Sequence, residues 1–117
     1  MNMLNSIILE GDITKAGKIV QSVDGQRQLE VTIAVKRQYR KRDGSLADET
    51  SEFEVIAYGN VADLLAKKGT IGQGIRVVGR LTQVKWVAED KKQSAVKIIG
   101  EHIEYKALKK KEAKDEK

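Results

Sequence analysis

The chain has 117 residues, 40% of them hydrophobic and 33% charged, which is the length of one domain with one core. It contains no cysteine, which excludes a disulfide framework and a thiolate metal site. A net charge of +5 favours polyanionic partners, and no apolar stretch is long enough to span a bilayer. Because the start, MNMLNSIILEGD, also lacks the basic region of a signal peptide, we expect a cytoplasmic protein without a membrane segment.

The positive charge is concentrated in two segments. The last residues mix both signs and have little apolar content, so we predict a folded domain over residues 1–106 and a flexible charged tail over 107–117. The other segment, KRQYRKRDG at 36–44, places five basic residues around Tyr39. Cations beside an aromatic ring are typical of nucleic-acid binding.

Three extended segments come first in the chain. Residues 7–20 begin with IILEG, where Gly11 marks a bend or bulge. The run QLEVTIAVK alternates strictly between apolar and other residues, which predicts a strand with Leu29, Val31, Ile33 and Val35 on one face. The turn signal Asp43-Gly44 and the apolar segment EFEVIAYG then predict a long hairpin with a charged, extended loop.

The hydrophobic period changes after Gly59. Asn60 is a candidate N-cap, VADLLAKK has helical spacing, and Gly69 is a C-terminal stop, so we predict one short helix. The segments IRVVGRLTQVKWV and SAVKIIGEHIEY predict two more strands joined around AEDKK, with Gly79 as a bulge in the first of them.

The predicted order is three strands, a short helix and two strands, with mostly antiparallel connections. This order fits an OB-fold: a five-stranded antiparallel Greek-key barrel with one short helix between strands 3 and 4. The faces and loops around strands 2 and 3 of this fold are used to bind oligonucleotides or oligosaccharides.

Several long runs resemble the bacterial single-stranded DNA-binding protein (SSB) family. They are MLNSIILEGDI at the start, SEFEVIAYGNVADLLAKKGTIGQGIRVVGRL in the middle, and the TQVKW that follows it. The resemblance covers roughly Met1 to Tyr105. It implies an OB-fold protein that coats single-stranded DNA in replication, recombination and repair, and it implies a homotetramer, with a dimer as the alternative.

The resemblance also assigns stacking roles to three aromatic residues. Tyr39 matches the family's aromatic at the base of the long hairpin, Tyr58 the one that closes the third strand, and Trp86 the one on the last hairpin. Each ring has a structural alternative, since Tyr39 could shield the barrel rim and the other two could belong to the core. Counted back from Tyr58, Glu52 and Glu54 share its face, whereas Phe53 points the other way and is predicted to be a core or interface residue.

A protein that binds single strands of any sequence needs cations along a path beside its rings. The candidate cations are Arg37, Arg40, Lys41 and Arg42 on the long hairpin, Lys68 after the helix, Arg76 and Arg80 on the fourth strand, and Lys85, Lys91 and Lys92 on the last hairpin. They cannot all face one groove.

Other functions have weaker support in the sequence. No phosphate-binding loop or nucleophile with a nearby histidine is present, and His102 has no ligand partners, so we expect no enzymatic activity, no cofactor and no metal. The tail lacks the acidic tip with an apolar pair through which family members recruit replication and repair proteins. The competing hypothesis is a protein-interaction module of a replication-restart or recombination complex, and buried or covered Tyr39, Tyr58 and Trp86 would favour it.

Overall fold

The computed structural model describes residues 2–22 and 24–107. The elements are β1 (Ile7–Lys15), β2 (Val20–Gln21), β3 (Arg27–Arg40), β4 (Leu46–Tyr58), α1 (Gly59–Lys68), β5 (Gly74–Ala88) and β6 (Lys91–Tyr105). The predicted domain boundary follows the end of β6, and residues 108–117 of the predicted tail lie outside the described part. No helix in that described part is long and apolar enough to cross a lipid bilayer.

Five strands close into a barrel in the order β1-β5-β6-β4-β3, with β1 pairing again with β3. The two-residue β2 is added to β3 at the rim. The predicted OB-fold is therefore confirmed, with its one helix between β4 and β5. The pairing is mostly antiparallel, as predicted, with one parallel pair: β4 and β6 run parallel where Val55 and Ile56 meet Ile98 and Ile99. A parallel pair requires a long connection, which α1 and β5 provide.

The core lies inside this barrel and uses the alternation read from the sequence. Leu29, Val31 and Ile33 are buried, as predicted from the pattern of β3. They pack with inward residues of the other strands and with Leu65 of α1. Alternate residues of the same strands consequently face outward, and this outer surface carries the candidate site.

Two glycines let the backbone of the barrel bend. β1 pairs with β5 up to Asp12 and with β3 from Asp12 onward, and a Cβ on Gly11 would lie 2.6 Å from the carbonyl oxygen of Ala34. The predicted bulge at Gly79 is confirmed by the register shift between Val78 and Gly79. A side chain there would collide with the carbonyl oxygen of Ile99, so the close approach of β5 and β6 requires glycine.

The helix begins earlier than the sequence predicted. Tyr58 is the N-cap residue, and the chain turns into the helix at Gly59, whose φ of 60° suits glycine. The predicted N-cap at Asn60 was therefore wrong, since β4 enters α1 without a linker and Asn60 lies in the first turn. The stop at Gly69 is confirmed, because its N–H donates to the carbonyl oxygen of Leu65 at 2.7 Å.

The basic segment at 36–44 is mostly strand rather than loop. β3 and β4 remain paired as far as Arg40 and Leu46. The remaining turn is closed by hydrogen bonds from Lys41 N to the Ser45 carbonyl oxygen at 2.7 Å and from Gly44 N to the Lys41 carbonyl oxygen at 3.0 Å. The predicted charged loop is thus a short turn at the end of a two-stranded arm, and this arm holds the cations.

Candidate nucleic-acid interface

An open groove of about 740 Å³ runs over the outer face of the barrel where β4, β6 and β5 lie side by side. Strand pairing brings its walls together, because Ile56 of β4 lies beside Ile99 of β6, and Ile99 lies opposite Arg80 of β5. The residues that line it are Ser22, Asp24, Gln26, Ile56, Tyr58, Arg80, Thr82, Val84 and Ile99. We call this surface the groove.

Tyr58 lines the groove from the last position of β4. Its ring is half-buried, because the strand ends there and the chain turns away into α1. The location combines an apolar floor, formed by Ile56 and Ile99, with a partly exposed aromatic side chain on which a base can stack.

Trp86 continues the outward row of β5 formed by Arg80, Thr82 and Val84. Its side chain is 45% exposed, as the hairpin position predicted, so it is not a core residue. A second cavity of about 490 Å³ surrounds it and includes Lys85 and Lys92. Trp86 therefore lies just beyond the groove along β5, with Lys85 and Lys92 beside its ring.

Tyr39 lies elsewhere. It is 41% exposed and pairs with Ala47 on the long hairpin, eleven residues along β3 from Gln28, the partner of Tyr58. At about 3.3 Å per residue this separation is roughly 36 Å along the strand. Tyr58 and Trp86 thus share the outer face, with Trp86 six positions along β5 from Arg80, whereas Tyr39 lies on a separate arm.

Phe53 occupies the boundary between barrel and arm. It shares the strand face of Val55 and Ala57, as predicted, and both of those residues are buried. Phe53 itself is 38% exposed because it lies opposite Ile33, at the point where the barrel wall ends. Its ring is therefore accessible, although it is not part of the groove.

Three of the predicted cations are already engaged within the barrel. Arg76 Nη2 lies 2.6 Å from Glu10 Oε2 and its Nη1 lies 3.2 Å from Glu104 Oε1, and these carboxylates, chiefly Glu10, raise the pKa of Arg76. Arg80 Nε lies 3.2 Å from Glu101 Oε2. Lys68 Nζ lies 5.4 Å from the ring centre of Tyr105, which is a cation–π contact.

The remaining predicted cations lie on the two hairpins. None of them forms an ion pair with another residue of the described ranges, and they are Arg37, Arg40, Lys41, Arg42, Lys85, Lys91 and Lys92. Arg40 donates from Nη1 to the carbonyl oxygen of Gly44 at 2.7 Å, which fixes its direction without neutralising its charge. The hairpin cations are therefore available to an external anion.

One ion cluster on the outer face was missed by the sequence reasoning. Lys97 Nζ lies 2.9 Å from Glu30 Oε2 and 3.5 Å from Glu54 Oε1, and Glu30 in particular raises the pKa of Lys97. Glu54 shares the strand face of Tyr58, where an unpaired carboxylate would repel phosphates, and Lys97 partly neutralises it. These residues come from three strands, and 67 positions separate Lys97 from Glu30. No local sequence pattern therefore predicts the cluster.

The described residues offer little to a metal ion. Across 2–22 and 24–107 no group of three or more histidine, cysteine, aspartate or glutamate side chains has the arrangement of a metal site. His102 lies 3.5 Å from one carboxylate, that of Glu104. The aromatic and cationic side chains at this surface can supply stacking and cation–anion attraction.

Comparisons with known proteins match most of the described chain to one protein family. The Single-strand binding protein family matches residues 4–106. The single-stranded DNA-binding protein of Aquifex aeolicus is 37% identical over 101 residues, which is 86% of this chain and 69% of that protein. Single-stranded DNA-binding protein 2 of Streptococcus agalactiae is 31% identical over 85 residues, which is 72% of this chain and 63% of that protein. The chain thus spans about two thirds of the length of these relatives.

Solved structures support the fold. The structure described as Plasmodium falciparum SSB complex with ssDNA superposes with a TM-score of 0.81, covers 92% of this chain and 98% of that chain, and is 23% identical in sequence. At this identity the likeness concerns the fold alone. Because the family match extends over nearly the whole described chain, this protein belongs to the single-strand binding protein family.

Proposed function

We propose that this protein binds single-stranded DNA of any sequence and protects it during replication, recombination and repair. One observation carries the proposal: Tyr58 and Trp86 are both accessible on one face, joined by the outward row of Arg80, Thr82 and Val84. Membership of the family and the names of the relatives point in the same direction.

The mechanism follows from the chemistry of an unpaired strand. Bases stack on Tyr58 and Trp86, while the apolar floor formed by Ile56 and Ile99 receives the edges of the bases. Arg80 and the cations of the two hairpins contact the phosphates. These contacts release the salt ions that surround the phosphates of the free strand. Duplex DNA hides its base faces, so the same groove discriminates in favour of single strands.

Fluorescence titration of Trp86, the only tryptophan in the chain, tests this function. We expect oligo-dT to quench the emission, a duplex of equal length to have little effect, and the affinity to fall as salt rises. Replacing Tyr58 or Trp86 with alanine should each cost about 1–3 kcal/mol of binding free energy, the latter measured by anisotropy of labelled DNA. Binding that neither substitution weakens would place the DNA elsewhere.

Tyr39→Ala is the matched control for these two substitutions. It removes an exposed ring of the same kind from the long hairpin instead of the groove. A short oligonucleotide that fills only the groove should not sense this change, whereas a long one should lose affinity if the strand continues along the arm. The alternative function, an assembly module, predicts that no single-ring substitution affects DNA and that a protein partner covers Tyr58 and Trp86.

We propose a homotetramer, with a dimer as the alternative. Support comes from β1, where Ile8 is 66% exposed and residues 7–11 pair with β5 on one side alone. An exposed apolar residue on an open strand edge favours pairing with another chain. Sedimentation equilibrium measures the mass directly, and Ile8→Asp should shift it toward smaller species.

We also propose a cytoplasmic location, associated with the nucleoid through the DNA itself. Imaging a fluorescent fusion during replication arrest tests the location, since foci on the nucleoid are expected.

A further inference from the structure

The groove has a polar end that the proposed function does not use. Asp24 and Gln26, in the turn between β2 and β3, line the same groove as Tyr58. Gln28 pairs directly with Tyr58 across the strands, and a Cβ on Gly59 would lie 3.9 Å from Gln26 Nε2, so the turn lies beside the ring. A base stacked on Tyr58 would therefore have a carboxylate near its edge.

The turn holds this carboxylate in one orientation. Ser22 N donates to the Gln26 carbonyl oxygen at 2.7 Å, and Gly25 N donates to the Ser22 carbonyl oxygen at 2.8 Å. Asp24 Oδ1 accepts from the Ser22 hydroxyl and, at 3.2 Å, from Gln26 N. Its Oδ2 has no hydrogen-bond partner within the described residues and is thus a free acceptor at the groove.

The same contacts keep Asp24 ionised at neutral pH. The hydrogen bond from the Ser22 hydroxyl, followed by that from the Gln26 backbone, lowers the pKa of Asp24. A carboxylate is an acceptor only, so it binds bases that present an N–H donor and is repelled by carbonyl oxygens.

We propose that Asp24 Oδ2 accepts a hydrogen bond from the exocyclic amino group of the base stacked on Tyr58, so that the groove favours cytosine, adenine and guanine, which carry such a group, over thymine, which does not. An acidic side chain accepting from cytosine N4 is an established form of base recognition. Thymine presents a carbonyl oxygen at the corresponding position, and its single N–H lies between two carbonyl oxygens. The bias is superimposed on stacking, which tolerates every base.

Cytosine and thymine provide the cleanest comparison because both are single-ring bases of similar stacking area. Affinities for oligo-dC and oligo-dT of equal length should be measured for the wild type and for Asp24→Asn. Asparagine still accepts at Oδ1 and preserves the turn, but its amide can also donate to a carbonyl oxygen. We expect the ratio of dC to dT affinity to fall about fivefold in the variant, the lower end of the discrimination that such contacts provide.

Asp43→Asn is the matched control. Asp43 occupies an equivalent turn, where its Oδ1 accepts from Ser45 N at 2.9 Å and Ser45 Oγ at 2.7 Å, but it lies at the tip of the long hairpin. Both substitutions remove one negative charge and should raise the affinity for both oligonucleotides. Only Asp24→Asn should change their ratio, and an equal rise for dC and dT in that variant would overturn the proposal.

Two further measurements keep the inference separable from the proposed function on which it rests. An oligonucleotide of N4,N4-dimethylcytosine lacks the donor, so the wild type should bind it no better than oligo-dT; undiminished binding would overturn the inference without any variant. Tyr58→Ala tests the site itself. If that substitution leaves affinity unchanged, the groove is not the DNA site; if affinity falls but the dC to dT ratio of Asp24→Asn equals that of the wild type, only the inference fails.

Discussion

The cations of the barrel and those of its hairpins differ in what they contact. In the barrel, each paired cation joins two different elements: Arg27 of β3 binds Asp63 of α1 at 2.8 Å, Arg76 binds Glu10 of β1, and Lys97 of β6 binds Glu30 of β3. On the hairpins, the cations at 37–42 and 85–92 form no ion pair within the described residues.

A shortage of carboxylates does not explain this difference. On the long hairpin Arg37 lies directly opposite Glu49 in the register, yet the two make no ion pair in the described structure. A two-stranded arm leaves both side chains in water, where pairing gains little over hydration. Position therefore decides the use of a cation: barrel cations connect elements of the fold, whereas hairpin cations stay unpaired and are the proposed phosphate ligands, which would release the counterions condensed on the DNA.

The sharpest test replaces three cations in each region. Arg37, Arg40 and Arg42 changed together to glutamine should weaken binding by roughly tenfold to a hundredfold and reduce the salt slope by about 2, the loss of three phosphate contacts on a single strand. The matched triple changes Arg27, Arg76 and Lys106, whose Nζ lies 3.1 Å from Glu10 Oε1, and removes the same charge from paired positions. It should lower the melting temperature and leave the salt slope unchanged; equal losses of affinity in both triples would mean that net charge alone matters.

Arg80 does not fit the division between paired barrel cations and unpaired hairpin cations, because it is paired with Glu101 and also lines the groove. If it binds phosphate, it must exchange its carboxylate partner. Arg80→Gln should then weaken binding about fivefold, and Glu101→Gln should strengthen it about twofold by releasing the guanidinium. Weaker binding by Glu101→Gln would instead show that the carboxylate orients Arg80 for the DNA.

The sequence was sufficient for the fold because strand alternation and the change of period after β4 are local signals. The pattern of Leu29, Val31 and Ile33 marked the inner face of β3, and Gly79 marked the bulge. Local signals also placed Trp86 on an exposed hairpin. These features depend on residues within a few positions of one another, and a single sequence displays them directly.

Whether each cation forms an ion pair could not be predicted from such local signals. Arg76 and Glu10 are 66 residues apart and meet because β1 and β5 are neighbours in register, and Asp24 reaches the groove only because β3 pairs with β4 beside Tyr58. The parallel contact between β4 and β6 is likewise a property of the closed barrel. Long-range register, which no short motif encodes, therefore decides which cations are paired within the fold.

Lys97 is a barrel cation whose ion pairs are expected to contribute to the free energy of unfolding. Its side chain is 17% exposed, and it holds Glu30 and Glu54, which would otherwise repel each other across the sheet. Lys97→Gln should lower the free energy of unfolding by about 1 kcal/mol, a value reduced for the partial exposure of both carboxylates. Lys92→Gln, on the hairpin, should leave urea denaturation unchanged; equal destabilisation by both would contradict the structural role.

The smallest expected effect concerns Glu10 and pH. Hydrogen bonds from Arg76 and then Lys106 lower the pKa of Glu10 below its usual 4.5. A group whose pKa is lower in the folded state stabilises the fold above the unfolded pKa, and this contribution is lost as pH falls through the folded pKa. Glu10→Gln should therefore melt slightly below the wild type at pH 7, and the two melting temperatures should converge as the pH falls through the folded pKa of Glu10, which lies below 4.5. A difference that persisted in acid would mean that Glu10 stabilises β1 through packing rather than charge. The ion pairs of the barrel cations would then contribute less to stability than their short N–O distances suggest.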